Sequence, residues 1–299
     1  MGQDIIVVIP AFNEERFIGS VVLKARKYAD QVIVVDDGSS DATGEIATAA
    51  GATVVRHPVN QGKGVSLSSG FRRAREWNPR AVIVIDGDGQ HLVEEIPGIL
   101  APVLAGQADI VVGSRYLEER SSVPRHRVVG HRAFNILTNV ASGVRVTDSQ
   151  SGFRAFSPRA AELATFGSTG FSVESEMQFL AQEHKLRLVE VPITIRYNDQ
   201  PKRSVIAHGL AVLNGVLQII GQYRPLLFFG LPGLITLLIG LGWGAAVVEI
   251  YRQTENLAVG YALISVMLFM LGSLSLFVGM ILHSVRGLLL SLLHPDQER

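Results

Sequence analysis

After Arg224 charge nearly disappears from this chain: the last 75 residues carry only Arg252, Arg286, Arg299, Glu249, Glu255, Asp296 and Glu298. Two stretches of that tail, Leu226 to Val248 and Leu257 to Leu282, run for 23 and 26 residues without a charge. About 20 apolar residues suffice to cross a hydrocarbon core as a helix. The pair predicts a transmembrane hairpin closed by the polar loop Glu249 to Asn256. Lys202, Arg203 and Arg224 precede it and Arg286 follows it, whereas the loop sets one Arg against two Glu. That bias predicts that both termini, and the polar part of the chain, face the cytoplasm. Gly240-x-x-x-Gly244 would allow close helix packing and leaves a homo-oligomer through the spans open.

The polar part reads as α/β. Short β-rich runs alternate with helical stretches over residues 4 to 114, the pattern of βαβ units and a mostly parallel sheet covered on both faces. Strands are expected at Asp4 to Ile9, Gln31 to Val35, Ala52 to Arg56, Ala81 to Ile85 and Asp109 to Gly113. Helices are expected at Glu15 to Tyr28, Ala42 to Ala50, Lys63 to Arg75 and Val93 to Ala105, with Asp41 placed to cap the second and Pro97 and Pro102 in the fourth. A basic segment, Arg115 to Arg132, leads into a helix over Val128 to Ala141. A turn at Asp148-Ser-Gln-Ser-Gly-Phe-Arg then enters a short strand. Ser172 to His184 reads as a helix, and Leu186 to Arg196 as a strand whose Pro192 suits an edge. The stretch from Val205 to Arg224 puts Ile206, Leu210, Leu213, Leu217 and Ile220 on one helical face, as an interfacial helix would. The expected division is 1–204 catalytic, 205–224 juxtamembrane, 225–283 hairpin and 284–299 cytoplasmic tail.

Composition narrows the chemistry. With 27 basic and 27 acidic residues there is no charge signal for nucleic acid, and with no cysteine any metal must take oxygen or histidine ligands. Oxygen ligands are offered at Ala81 to His91, AVIVIDGDGQH, where a buried run ends in Asp86-Gly-Asp88. A strand ending in Asp-x-Asp can present carboxylates to a divalent cation at the sheet's carboxyl edge, though Asp-Gly alone also fits an acidic turn. Three further strand ends add to it. The first strand runs into Pro10-Ala-Phe-Asn-Glu-Glu rather than a glycine-rich dinucleotide turn, the second into Asp36-Asp-Gly-Ser-Ser-Asp, and the third into Asn60-Gln-Gly-Lys-Gly, which lacks the flanking residues of a P-loop.

In that order and spacing, P-A-F-N-E, V-V-D-D-G-S-S-D, N-Q-G-K-G and D-G-D-G-Q-H resemble the family 2 glycosyltransferases of GT-A fold, over residues 4 to 204. G-S-R, D-x-x-S-G-F-R and the two-helix tail are most similar to the polyprenyl-phosphate sugar transferases, such as dolichyl-phosphate mannose synthases and undecaprenyl-phosphate glucosyltransferases. The resemblance implies transfer of a hexose from a GDP- or UDP-sugar to dolichyl or undecaprenyl phosphate, with Mg²⁺ or Mn²⁺. On this chain it implies that Pro10, Phe12, Glu14 and Asp37 bind the nucleoside. It also gives Asp86, with Gly87, the ribose or sugar, and Asp88 and Gln90 the metal. Arg196 and Lys202 would close over the diphosphate, although Tyr197-Asn-Asp-Gln-Pro stands where the mannose synthases show a glycine-containing loop. Lys63, heading a helix, could meet the same diphosphate.

A prenyl monophosphate needs cations beside an apolar surface. Arg115 and Arg127, with Arg125 or Arg132 in support, supply the first, and the Val128 to Ala141 helix, with Val128, Val129, Phe134, Leu137 and Ala141, could supply the second. Because that acceptor is already anionic, no strong general base is required. A single inverting displacement is expected, with Asp88, Gln90, the metal, Arg196 and Lys202 on the leaving side and Arg115 and Arg127 on the attacking side. His91 would orient a loop, and Glu174 and Glu176 could recognise sugar hydroxyls. A processive polysaccharide synthase would carry Q-x-x-R-W, which neither Trp77 nor Trp243 provides. A glycosyltransferase acting on a lipid-linked glycan or other hydroxyl would want a general base, and a membrane scaffold that merely binds a nucleotide sugar would not need an intact D-x-D-x-Q.

Overall fold

The computed structural model describes residues 5–118, 132, 135–136, 138–167, 173–195, 225–256 and 258–293, with side chains to 287. The chain divides into two compact units, Met1–Val216 and Leu217–Arg299.

The first unit is built on a seven-stranded sheet in the order β3-β2-β1-β4-β6-β5-β7. The strands are β1 (Ile5–Ala11), β2 (Gln31–Asp36), β3 (Thr53–Arg56), β4 (Ala81–Val84), β5 (Ile110–Ser114), β6 (Arg154–Phe156) and β7 (Leu188–Pro192). β1 to β4 pair in parallel, as do β5 and β7, and β6 runs antiparallel between β4 and β5. Runs such as IIVVI and AVIV are apolar at every position because both faces are covered. Val7, Ile9 and Ile83 pack with α1 (Ile18–Ala25) and α4 (Ile96–Leu104) on one face. Ile6, Val8, Val84 and Phe156 pack on the other with Leu67 and Phe71 of α3 (Lys63–Arg75) and with Val173 and Met177. β7 is at the sheet edge, where Pro192 is tolerated.

The departures from expectation occur at element ends. α1 begins at Ile18 rather than Glu15, because residues 13 to 15 are bonded to the loop after β2. Asn13 N–H donates to Ser39 Oγ at 3.0 Å, Glu14 N–H to Thr43 Oγ1 at 2.8 Å, and Glu15 accepts from Ala42 N–H at 3.1 Å. Asp41 does bind the first turn of α2 (Thr43–Ala49), accepting from Thr43 N–H at 3.0 Å. The helix expected over Val93 to Ala105 is split into a 3₁₀ turn, Val93–Glu95, and α4, because Pro97 has no N–H to give Val93. In the Val128 to Ala141 stretch the described residues are helical and the helix continues to Ser142. The expected interfacial helix from Val205 lies outside the described residues.

In the second unit two helices are long and apolar enough to cross a membrane, Leu226–Thr254 and Val259–Gly287. The first is a π-helical turn, Leu226–Gly230, followed by the α-helix Leu231–Thr254; the second belongs to the helix Val259–Leu293. The first outruns the uncharged span, so the connection is shorter than the expected Glu249 to Asn256 loop. The two helices pack through glycine. A Cβ on Gly240 would lie 2.7 Å from Phe269 N, one on Gly272 would lie 2.4 Å from Leu237 N, and one on Gly244 would lie 2.7 Å from Ser265 Oγ. Gly240-x-x-x-Gly244 therefore faces the other helix of its own hairpin. Ser265 donates to Gly240 O at 2.8 Å and Ser275 to Phe229 O at 2.9 Å, cross-links suited to an apolar solvent.

Gly272→Leu is expected to force the hairpin apart, at the ~1–3 kcal/mol or more typical of overpacking. Gly242→Leu, where a Cβ meets nothing within 4 Å, should be neutral. Thermal unfolding of the two detergent-solubilised variants separates them.

Candidate active site

The parallel register brings three strand ends level. Ala11 lies opposite Asp36, Val8 lies opposite Val84, and Ile85 N–H donates to Val8 O. Pro10-Ala-Phe-Asn-Glu, Asp36-Asp-Gly-Ser and Asp86-Gly-Asp-Gly-Gln therefore emerge side by side at the carboxyl edge, where α/β proteins bind ligands. Phe12 is exposed at that edge, and Pro10 and Glu14 are half-buried.

Beyond β4 the chain turns at Gly89, whose φ of 71° favours glycine. Asp88 Oδ1 accepts from Gln90 N–H at 3.0 Å, and no described residue bonds its other oxygen. Burial first, and then the neighbouring Asp86 charge, push the Asp88 carboxyl above its ordinary value. A cation would relieve both costs. Among the described residues no three His, Asp or Glu side chains form a metal cluster. Asp88 and Gln90 each carry a hard oxygen donor, the ligand chemistry that Mg²⁺ or Mn²⁺ takes.

Asp86 has a different environment. Its Oδ1 lies 2.6 Å from Lys63 Nζ, which also reaches Glu174 Oε1 at 2.7 Å. Burial alone would raise the Asp86 pKa, but Lys63 and His91 outweigh it and hold the carboxyl well below the usual range. Burial likewise opposes the charge on Lys63, and the two carboxylates overcome it, raising the amine above its ordinary value. Lys63 opens α3, while Glu174 stands in the first turn of the helix Val173–Glu183. Gly152 closes the wall: a Cβ there would lie 2.4 Å from Asp86 Oδ2 and 2.9 Å from Lys63 Nζ. His91 is buried with Nε2 3.7 Å from Asp86, its ring against Phe153, and its backbone bridged to Ile195. A Cβ added at Gly87 would make only ordinary contacts, with Ile18 at 3.4 Å and Ala11 at 3.5 Å.

Two expected ligands turn out to be engaged by the protein itself. Asp37, expected at the nucleoside, is buried and accepts from Gln61 N–H at 3.0 Å and Gly62 N–H at 2.8 Å, and Oδ1 lies 2.7 Å from His57 Nδ1. In this state it orders the N-Q-G-K-G loop. Arg115, expected at the acceptor phosphate, forms a bidentate pair with buried Asp148, both contacts being 2.6 Å. A fork closed on a carboxylate orders the chain after β5. Arg132 is exposed and helical; Arg125, Arg127, Arg196 and Lys202 lie outside the described residues. Glu176 accepts from Gly167 N–H at 3.0 Å.

Among the described residues of the helix leading up to Ser142, polar side chains are turned inward: Asn135 takes Ser149 N–H at 2.8 Å and donates to Thr147 O, and Asn139 Oδ1 accepts from Gln178 at 2.8 Å. Ile136 and Val140 are 65% and 56% exposed. Ala141, expected on the apolar outer surface, is buried.

A match to the family model for glycosyl transferase family 2 spans residues 6–163. The chain belongs to that family. It is 32% identical over 234 residues to a UDP-N-acetylglucosamine–dolichyl-phosphate N-acetylglucosaminyltransferase of Methanococcus voltae, covering 71% of this chain and 91% of that one. It is 30% identical over 224 residues to an undecaprenyl-phosphate mannosyltransferase of Micrococcus luteus, covering 70% and 91%. A solved glucosyl-3-phosphoglycerate synthase from Mycobacterium tuberculosis, in complex with Mg²⁺ and uridine diphosphate, superposes with a TM-score of 0.59 at 25% identity, covering 74% and 80%. The fold is thus GT-A and the enzyme a glycosyltransferase.

Asp148→Ala should leave the Arg115 guanidinium, only 10% exposed, without its carboxylate. A loss of about 3–5 kcal/mol is expected from breaking such a pair on one side, read as a lowered thermal midpoint. Asp148→Glu should recover part of it.

Proposed function

We propose that the enzyme transfers a hexose from a GDP- or UDP-sugar to a polyprenyl phosphate, dolichyl or undecaprenyl, with a divalent cation, at the cytoplasmic face of a membrane. The observation that carries this reading is a half-open Asp88 and Gln90 edge in a chain that also holds two helices of bilayer length. The names of relatives that act on dolichyl and undecaprenyl phosphates support the acceptor class. The Mg²⁺ and uridine diphosphate bound by the mycobacterial synthase support the donor and the cation. The division into a catalytic part, 1–204, an interfacial helix, 205–224, a hairpin, 225–283, and a tail, 284–299, belongs to the same reading.

Exposed Phe12 offers a face on which a base can stack, with Pro10 and Glu14 beside it. Asp88 and Gln90 would hold the cation, which would supply positive charge to the departing diphosphate. Arg196 and Lys202 close over the same group. Asp86, Lys63 and Glu174 line the wall beside it, and Asp37 keeps the loop that leads to Lys63 in place. On the acceptor side Arg115, paired with Asp148 before the acceptor arrives, and Arg127, Arg125 and Arg132 receive the phosphate. Exposed Ile136 and Val140 suit the prenyl chain or the bilayer surface. The acceptor oxygen is anionic at neutral pH, so binding it in line with the anomeric carbon is enough, and one displacement inverts that centre.

Membranes containing the enzyme should move label from a nucleotide sugar into a chloroform-soluble, mild-acid-labile product only when prenyl phosphate and Mg²⁺ or Mn²⁺ are present. Label in polymer or protein would refute the acceptor. A panel of GDP- and UDP-sugars identifies the donor. Asp88→Ala should abolish turnover. Arg127→Ala should raise KM for prenyl phosphate by about tenfold, ~1.4 kcal/mol of binding, with nucleotide affinity unchanged; an equal loss of both would contradict its assigned side.

A further inference from the structure

Among the described residues Arg154 is the largest of the fully buried side chains, 1% exposed, and it opens β6. It lies opposite Val84 of β4 and Val112 of β5. Alternation along the strand puts Phe153 and Ala155 on the face of α1 and α4, and Arg154 and Phe156 on the face of α3 and the Val173–Glu183 helix. By the same alternation Asp86 follows Val82 and Val84 on that second face. Lys63 and Glu174 head the two helices that cover it. A cation has therefore been placed at the floor of the candidate donor site, at a position that an apolar residue could fill.

Its partners are unusual for a buried guanidinium. Nε donates to Ser151 O at 2.9 Å and Nη2 to Ser149 O at 2.9 Å, while Nη1 is buried and makes no hydrogen bond among the described residues. Among the described residues no carboxylate is bonded to it. Burial drives its pKa below the ordinary arginine value, against the pull of Glu174, Asp148, Glu190 and Asp86. An arginine buried under these conditions, against the desolvation cost of its charge, is tied to what its two bonds hold. They hold the Ser149 to Gly152 turn. One end of that turn adjoins Asp148, which fixes Arg115; the other is Gly152, whose Cα has no room for a Cβ against Asp86 and Lys63.

We propose that Arg154 is a positioning residue for sugar transfer: its fork fixes the Ser149 to Gly152 turn against the Lys63–Asp86 pair and so sets where that pair meets the donor diphosphate. It acts through the turn and touches no substrate. A lysine would keep the charge but cannot donate to two carbonyls in a planar fork.

The proposal rests on the reading of this edge as a donor site. The test uses the full chain in detergent with Mn²⁺, comparing wild type with Arg154→Lys, Arg154→Met and Gly152→Ala. Binding of uridine and guanosine diphosphates is measured by calorimetry, beside kcat, the KM for donor and for prenyl phosphate, and thermal unfolding. A misplacement of about 1 Å costs up to a hundredfold. Arg154→Lys is expected to fold, to lose about ten- to a hundredfold in kcat over donor KM, and to bind the nucleotide more weakly, with the prenyl-phosphate KM changed far less. Gly152→Ala, which leaves Arg154 intact, should reproduce that pattern even if Arg154→Met fails to fold. Wild type that binds nucleotide, beside folded Arg154→Lys and Gly152→Ala with wild-type donor parameters, overturns the role given to Arg154. Loss in Arg154→Lys spread equally over donor and acceptor overturns it too. Wild type that binds neither nucleotide overturns the donor-site reading itself.

Discussion

Lys63 is the single charge on which the candidate site closes. Asp86 and Glu174 come from sequence positions far apart, and both are drawn out of bulk water at the junction of β4, α3 and the Val173–Glu183 helix. Two carboxylates that close would repel each other and pay for desolvation. One ammonium between them, at 2.6 and 2.7 Å, makes the arrangement tenable. Asp88, two residues on, has no such partner among the described residues, and burial together with Asp86 raises its pKa. The difference sorts the two halves of Asp-Gly-Asp physically. Asp86 is already neutralised by the protein, and Asp88 is left as the carboxylate with the most to gain from a cation.

The fold was legible because the signals that carry it are local. Runs such as VIVV and AVIV state strand and burial together, and the first five expected strands fall within one or two residues of the observed ends, whereas the last, expected over Leu186 to Arg196, is confined to Leu188–Pro192. What could not be read lies where a tertiary bond overrides a local tendency. Glu15 has every reason to begin a helix, yet its carboxylate takes Ala42 N–H instead. Pro97 was visible in the sequence, but that it would split the helix and leave a 3₁₀ turn was not.

The site was legible at its edge and opaque beneath it. Strand-end motifs gather Phe12, Asp37, Asp86 and Asp88 because parallel register does so automatically. Pairings across long loops carry no such signature. Lys63 and Glu174 are 111 positions apart and Arg115 and Asp148 are 33 apart. A partial hint existed, since both Lys63 and Glu174 head helices that must return to the same carboxyl edge. For Arg115 no hint existed, because nothing in a basic segment names the carboxylate, Asp148, that pairs with it.

The polar side of the helix leading up to Ser142 shows how such buried pairings allow an exposed apolar surface. A helix normally turns Ile and Val inward, and here Asn135, Thr138 and Ser142 are turned inward instead. The inversion is sustained by the turn it faces: Asn135 holds Ser149 and Thr147, and Asn139 holds Val146. With the amides satisfied by that turn, Ile136 and Val140 are left outside, an arrangement that water disfavours and a lipid surface accepts. The hairpin solves the same problem with glycine. Gly233, Gly240 and Gly272 give up side chains so that backbones touch, and the larger apolar residues are left facing out. Both devices reserve the specific contacts for the interior and leave large apolar side chains outside, an arrangement that suits an apolar surface.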